Sequence, residues 1–455
     1  MKRRVLAALL TATMLVGMFA ACGGGGGTGD DSGGADSGSS AEAGGSDAGT
    51  GGDETPADDG ASSGEKVKIT MWWGGSDSKA EAWCDYIEES VEANCPNIDM
   101  EVTPIAWSEY PTKISVSLAG GTGPDILACG CLMLANFDTT EHNFMRLDDK
   151  LDGWDGWDDI YPNMIENGRV DGEFVGVLFP ELRPYFWRKD LFEAAGLDPE
   201  SPPQTLEEIY EYAEKLTVVN EDGITEQAGF QVATAGSCDQ PLWAFMNIEG
   251  VDSIWDDEFN LRLNEPEVVK CVEMYNDIIQ NKICGSIDSF DISGSFFVNG
   301  MAAMSLNDSC NNVINMKENM DWENVGYACP PGDLTGTYGS FIVINNATKH
   351  EAEAIEAWKV ITSAEAMMKN AELVGYVPTR KSTEADYLAM DPDFNAVLLE
   401  MLPKARMYGV SNYDFVYLRD TCLNPTFSRM FVGELTPQEC IDEIIRLYDE
   451  ERTAN

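Results

Sequence analysis

The chain has 455 residues, of which 44% are hydrophobic, and its 79 acidic against 29 basic residues give a net charge of −50. A surface of that sign repels nucleic acid and anionic lipid, which excludes a nucleic-acid-binding role. The two histidines, His142 and His350, stand far apart with no Cys or Asp at metal-ligand spacing, so we expect neither a zinc site nor a histidine-based triad.

The first 21 residues are predicted to be an export signal. Lys2, Arg3 and Arg4 precede an apolar run over 5–15, and small residues stand just before Cys22. The stretch Phe19-Ala20-Ala21-Cys22 resembles a bacterial lipobox, which implies a lipid on Cys22 and attachment at the outer face of the cell membrane. The alternative is an ordinary cleaved signal followed by an incidental cysteine.

Residues 22–65 are predicted to be a disordered spacer behind the lipidated cysteine. They consist almost entirely of Gly, Ser, Ala, Thr, Asp and Glu and contain no aromatic residue. Such a segment cannot bury enough apolar surface to offset the entropy of ordering it. The part that follows is longer than one core usually accommodates, so we expect it to fold as two lobes.

Strands and helices alternate from residue 66 onward. Strands are predicted at 68–72, 100–105 and 125–128, with helices over 78–92 and 108–118 between them. This βαβαβ order indicates a parallel sheet with helices on its faces, which is the α/β class.

A second run of the same kind is predicted to begin at residue 175. Its strands are expected at 175–179 and 229–233 and its helices over 204–215 and 265–280, and a later strand covers 302–306. Ligands of doubly wound sheets bind at the carboxyl ends of the strands, so the residues that follow the strands are candidates for the site.

Six segments, in this order, carry a family resemblance that spans nearly all of residues 66–455. They are Ile69-Thr70-Met71-Trp72-Trp73, 119–126 (AGGTGPDI), 187–199 (WRKDLFEAAGLDP), 205–208 (TLEE), 297–304 (FVNGMAAM) and Gly375-Tyr376-Val377-Pro378. On these segments the chain resembles the extracellular solute-binding proteins of ATP-driven (ABC) importers, in the sugar-binding family that includes maltose-binding protein.

The resemblance implies a periplasmic-binding-protein-like fold of class II, in which two α/β lobes close by a hinge on a ligand in the cleft between them. We expect one lobe to comprise 66–175 plus 326–385 and the other 176–325 plus 386–455, with crossings near 176, 325 and 385. It also implies a monomer without catalytic residues, cofactor or metal, which captures a mono- or oligosaccharide and delivers it to a membrane permease.

Sugar sites combine aromatic rings with carboxylates, amides and Arg, and such residues follow the predicted strands. Trp73 and Asp77 come after the first strand, and Asn307 and Asp308 follow the strand over 302–306. Tyr338 stands near an expected cleft loop.

The resemblance implies further contacts at Glu181, Asp239 and Trp243. Arg183 and Tyr185 lie on the same face of an extended segment as Glu181. Arg183 has two interpretations, a bridge to ligand hydroxyls or an ion pair with Glu181.

Two departures from maltose-binding protein bear on the ligand. That protein carries tryptophans where this chain has Cys129 and Cys310, which favours a sugar other than maltodextrin, such as a short oligosaccharide.

Other interpretations stay open at the level of sequence. The acidity allows a polyamine-binding protein of the same fold, and abundant carboxylates allow an extracellular glycoside hydrolase. Residues 148–159 partly imitate a calcium loop. Eleven cysteines besides Cys22 leave at least one unpaired, and Cys84–Cys95 and Cys271–Cys284 are possible disulfides.

Overall fold

The computed structural model describes residues 66–138, 142–234, 237–256, 258–285, 295–407 and 414–454. The predicted export signal, Cys22 and the spacer lie outside these residues. Within the described ranges, no helix is long and apolar enough to cross a membrane.

The strands of the described residues vary in length from two to ten residues. They are β1 Val67–Gly74, β2 Ile98–Ile105, β3 Ile126–Gly130, β4 Arg169–Val170, β5 Glu173–Phe174, β6 Gly176–Leu182, β7 Tyr185–Arg188, β8 Val218–Val219, β9 Thr225–Gln227, β10 Met304–Ser305, β11 Val325–Ala328, β12 Thr335–Ile344 and β13 Ala405–Arg406.

Helices connect these strands and form the C-terminal part of the chain. They are α1 Ser78–Asn94, α2 Tyr110–Gly120, α3 Leu134–Asp138, α4 Gly156–Asp159, α5 Pro162–Asn167, α6 Lys189–Ala194, α7 Leu206–Leu216, α8 Asp239–Ile248, α9 Pro266–Gln280, α10 Val313–Asn319, α11 Glu351–Ile361, α12 Ala364–Leu373, α13 Glu384–Met390, α14 Pro392–Met401, α15 Phe415–Tyr417, α16 Asn424–Phe431 and α17 Pro437–Ala454.

The larger sheet has the order β13-β12-β3-β1-β2, with β6 also paired to β12. Strand β1 is parallel to β2 and β3, while β12 is antiparallel to β3 and β6. The βαβαβ unit predicted over 68–128 is therefore confirmed.

Helix α1 shows how the sequence produces this unit. The Asp77 side chain caps the helix by accepting a hydrogen bond from the backbone N–H of Ala80 at 2.9 Å. One face of the helix is apolar because its buried residues recur every three or four positions: Ala80, Trp83, Cys84, Ile87 and Val91. That apolar face packs against the larger sheet, so the helix is amphipathic.

The smaller sheet consists of β10, β7 and β11, with β7 antiparallel to both neighbours. The strand predicted at 229–233 does not form as a continuous strand, since only Ala228 and Gln231 make isolated bridges, to Ala302 and Ser305. The N–H groups of Ala228 and Gln231 donate to the carbonyls of Met301 and Met304, whereas that of Gly229 donates to Ile283, which lies in none of the described strands.

The chain passes between the two sheets at short connections. Strand β6 pairs in the larger sheet and β7 in the smaller, so residues 183–184 join them. Residues 329–334 lead back from β11 to β12, and α14 lies again on the smaller sheet, where Phe394 contacts Tyr327 at 5.2 Å between ring centroids.

All eleven cysteines of the described residues are free thiols, and all but Cys329 are buried. Cys84 lies in α1 and Cys95 directly follows its end, eleven positions further on, which is about 16 Å at the rise of an α-helix. A disulfide requires Cα atoms within about 7 Å, so this helix keeps the two residues apart.

Among the eleven cysteines other than Cys22, we expect a thiol titration to find at most one reactive group, Cys329, in the native protein and eleven in denaturant. Burial disfavours the thiolate that reacts, and it raises the pKa of Cys238 and Cys284 to about 12. The measurement is chromogenic thiol titration with and without guanidinium. A denatured count reduced by pairs would show disulfides and contradict this structure.

Candidate ligand-binding cleft

Arg183 lies where the chain passes from β6 to β7, and its guanidinium joins side chains from three elements. Nη1 donates to Gln240 Oε1 at 2.6 Å and to Asn307 Oδ1 at 2.5 Å, and Nη2 donates to Glu181 Oε1 at 3.1 Å. Glu181 is near the end of β6, Gln240 is in α8 and Asn307 follows β10. Arg183 therefore links the two sheets, and its pairing with Glu181 is present in the structure.

The Tyr338 ring covers this guanidinium. Its centroid is 3.8 Å from Arg183 Cζ, a cation–π contact, and in the β12–β6 register Tyr338 pairs with Glu181. Burial raises the pKa of the Tyr338 hydroxyl, and the positive charge of Arg183 opposes that effect. Four of the predicted residues, Glu181, Arg183, Asn307 and Tyr338, thus lie together.

The first cavity of the cleft, which we call the Asp308 cavity, has a volume of about 340 Å³. Asp308 is buried and accepts hydrogen bonds from Gln231 Nε2 at 3.0 Å and Asn312 Nδ2 at 3.4 Å. Burial raises the pKa of this carboxyl group. The Asp308 cavity is also lined by the polar residues Thr234, Ser295 and Asn307.

The second cavity, the Trp107 cavity, has a volume of about 300 Å³ and draws on both sheets. One part of it is lined by the end of β1 and by residues after β1 and β2, namely Gly74, Gly75, Ser76, Asp77, Lys79 and Trp107. Another part is lined by residues after β10, namely Asn311, Asn312 and Asn315. Lys79 Nζ donates to Asn315 Oδ1 at 3.0 Å across these two groups. Asn312 lines both cavities, so they adjoin.

Trp107 lines the cavity with a more exposed side chain than Trp73, and it was not among the residues predicted from the sequence. Trp107 is 44% exposed, whereas Trp73 is 1% exposed and packs edge-to-face on Trp83 at 5.7 Å. Trp73 reaches the Trp107 cavity only as part of its wall. The position of Trp107 directly after β2, at the carboxyl end of a parallel strand, was a signal that could have identified it.

Three predicted residues lie in the core and are not among those that line either cavity. The Tyr185 hydroxyl donates to Met304 Sδ at 3.1 Å, and Trp243 packs on Phe415 at 5.3 Å. Asp239 at the start of α8 is 1% exposed. Their placement gives no support to a ligand contact, which stays a prediction for all three.

Asp239 is nevertheless unusual, because neither carboxylate oxygen has a hydrogen-bond partner among the residues that the structure describes. Burial raises the pKa of Asp239 from 3.8 to about 6, against the opposing effect of Arg419. An acid whose pKa is higher in the folded state stabilises the fold at low pH, and that stability is lost as the pH rises from about 4 to about 6.

We expect Asp239→Asn to raise the melting temperature at pH 8 and to leave it nearly unchanged at pH 4, because Asn removes the cost of the buried charge. Scanning calorimetry from pH 4 to pH 8 measures this. The exposed Asp149→Asn is the matched control and should show no pH-dependent gain. Equal gains for Asp239→Asn at both pH values would contradict the assignment.

The segment that imitates a calcium loop uses its carboxylates for protein contacts. Asp148 accepts from Arg169 Nη1 at 2.9 Å and from the Phe174 N–H at 2.7 Å, and Asp159 accepts from Arg380 and Ser382. Across the described ranges, no group of three or more His, Cys, Asp or Glu side chains is arranged to hold a metal ion.

Two α/β lobes with cavities at the carboxyl ends of their strands define the class of periplasmic-binding-protein-like folds. A profile of the family described as "Bacterial extracellular solute-binding protein" matches residues 86–396. The chain belongs to this family.

Two relatives have low sequence identity to this chain, but the similarity extends over more than half of it. The putative ABC transporter periplasmic-binding protein YcjN of Escherichia coli is 23% identical over 370 residues, covering 74% of this chain and 81% of that protein. The sn-glycerol-3-phosphate-binding protein UgpB of Escherichia coli is 22% identical over 283 residues, covering 57% and 63%.

Solved structures confirm the fold. A solute-binding protein from Thermotoga lettingae bound with α-D-tagatose superposes with a TM-score of 0.72 at 20% identity, covering 84% of this chain and 99% of that one. The Listeria monocytogenes protein Lmo0181 in complex with cycloalternan has a TM-score of 0.72 at 19% identity, covering 86% and 100%.

Proposed function

We propose that this chain is the extracellular solute-binding subunit of an ABC importer, that it captures a carbohydrate in the cleft, and that it delivers the sugar to the permease. The observation that carries this is the pair of adjoining cavities that share Asn312, lined by amides, two carboxylates and an open tryptophan. Sugar hydroxyls require such hydrogen-bonding groups, and the sugar's CH faces require an aromatic surface. The sugars named for the two structural neighbours support the same class.

The proposal includes a lipid anchor and no catalysis. Cys22, after its apolar signal, would carry the lipid, and the acidic spacer would hold the lobes away from the membrane. Relatives described as binding proteins, rather than enzymes, support release of the ligand unchanged.

The two sheets suggest how the lobes are divided. We place the crossings at 183–184 and 329–334, with a third between α12 and α14, so that β6 belongs to the lobe of the larger sheet. Binding would favour the closed state because only that state brings both lobes into contact with the ligand.

A thermal-shift screen over sugars, amines and peptides, followed by product analysis, tests the function. We expect a saturable rise in melting temperature with a sugar and full recovery of that sugar. Stabilisation by polyamines alone would favour the polyamine alternative, and released hydrolysis products would show a glycoside hydrolase.

A further inference from the structure

Trp107 is fixed in place by three contacts with the chain around it. Its ring lies so close to Gly74 that a Cβ at that position would be 2.6 Å from the indole carbons, and it also lies beside Gly130. Its edge meets Tyr110 at 5.4 Å and 87°, and the Tyr110 hydroxyl donates to the Trp72 carbonyl at 2.9 Å. The ring is therefore held over the ends of β1 and β3, and the residue as a whole is 44% exposed.

Asparagine side chains line the same cavity from the other sheet. Asn311 and Asn312 belong to the 3₁₀ turn Cys310–Asn312 after β10, and Asn315 follows in α10. Asn311 Oδ1 accepts from Ser309 Oγ and Asn315 Oδ1 accepts from Lys79, so these two amides present mainly N–H donors to a ligand. Asn312 Nδ2 donates to Asp308, and its Oδ1 offers an acceptor. Such a set suits hydroxyl groups, which both donate and accept. An open indole and several amides are complementary to a ring with an apolar face and a hydroxyl rim.

The charges at this site do not favour an anion. Lys79 is the cation that lines the Trp107 cavity, and it stands with Asp77 and already donates to Asn315. Arg183 is held by Glu181, Gln240 and Asn307. The described lining residues therefore provide no surplus positive charge. A phosphate ester carries about −1.5 to −2 charges and requires a positively charged partner.

We propose that the Trp107 cavity is a subsite for one neutral, cyclic sugar unit, whose apolar face rests on Trp107 and whose hydroxyls bond to Asn311, Asn312 and Asn315. This inference rests on the proposed function and narrows its substrate class. It separates the chain from UgpB, whose name states a phosphorylated, acyclic ligand.

The test is calorimetric titration of the purified full-length protein with two sets of probes. One set contains neutral mono-, di- and trisaccharides, including tagatose, maltose and mannotriose, and the other contains sn-glycerol 3-phosphate and hexose phosphates. We expect a neutral sugar to bind and Trp107→Ala to raise its Kd about 10- to 100-fold, with Trp107→Phe intermediate, because a stacked aromatic surface is removed in steps.

Trp322→Ala is the matched control, since Trp322 stacks on Tyr327 and is not among the residues that line either cavity. It should bind sugar as the wild type does. Circular dichroism melting of each variant separates a loss of folding from a loss of affinity.

The outcomes distinguish this inference from the proposed function. Unchanged sugar affinity in Trp107→Ala would overturn the subsite and leave sugar capture intact. Binding of phosphate esters in preference to neutral sugars would overturn the neutral class. A wild-type protein that binds no carbohydrate of either set would overturn the subsite and the proposed function together.

Discussion

Replacement of Arg183 by alanine should abolish measurable sugar binding, with Kd raised at least about 100-fold, and should lower the free energy of unfolding by roughly 3 kcal/mol. The substitution leaves Glu181, Gln240 and Asn307 without the donor that holds them. Asn307 lines the Asp308 cavity, so its side chain would lose its fixed orientation at the ligand. Calorimetric titration measures the affinity, and urea unfolding measures the stability.

Arg262→Ala is the matched control for a lost arginine. Arg262 is paired with Glu265 at 2.9 Å and Asp252 at 3.3 Å, and it is not among the residues that line the cavities. It should leave sugar affinity unchanged and cost about 1 kcal/mol or less, since the pair is solvent-exposed in part. Normal affinity in Arg183→Ala would show that Arg183 does not position the cleft.

Much of the fold follows from patterns that are visible in the sequence. The βαβαβ unit was predictable because short apolar runs alternate with the amphipathic helix that Asp77 caps. The point near 176 at which the chain was expected to cross between the lobes could not be located from sequence patterns. The run 175–179 is equally apolar whichever sheet it joins. Pairing with β12 places it in the larger sheet, and hydrogen bonding between distant segments is not encoded in local periodicity.

The cleft was predictable where topology alone determines it. Asp77, Asn307 and Asp308 line cavities because they follow strands whose carboxyl ends lie at the site. Sequence spacing could not show which tryptophan, Trp73 or Trp107, is open to the cleft. Trp73 is covered by Trp83 of α1 and by Tyr376, which is far away in the sequence. The open face of Trp107 depends on Gly74 and Gly130, which approach it only in the folded sheet.

Replacement of Gly339 by alanine is the second change with a large expected effect. Gly339 has φ +110°, and a Cβ there would be 2.0 Å from the Phe179 carbonyl oxygen and 3.0 Å from the Glu181 nitrogen. The left-handed conformation and the contact with backbone atoms both oppose a side chain. We expect the free energy of unfolding to fall by roughly 3 kcal/mol or more, as measured by urea unfolding.

Gly433→Ala separates the two causes, because Gly433 has φ +79° and no heavy atom lies within 4 Å of the point that a Cβ would occupy there. It should cost only the conformational strain, about 1–2 kcal/mol. The excess in Gly339→Ala then reports the contact between β12 and β6, the strands that hold Tyr338 beside Glu181. Sugar affinity should fall in Gly339→Ala and not in Gly433→Ala, because relief of the contact has to move those two side chains apart. Equal losses of stability with normal affinity in both variants would mean that β6 yields without disturbing the cleft.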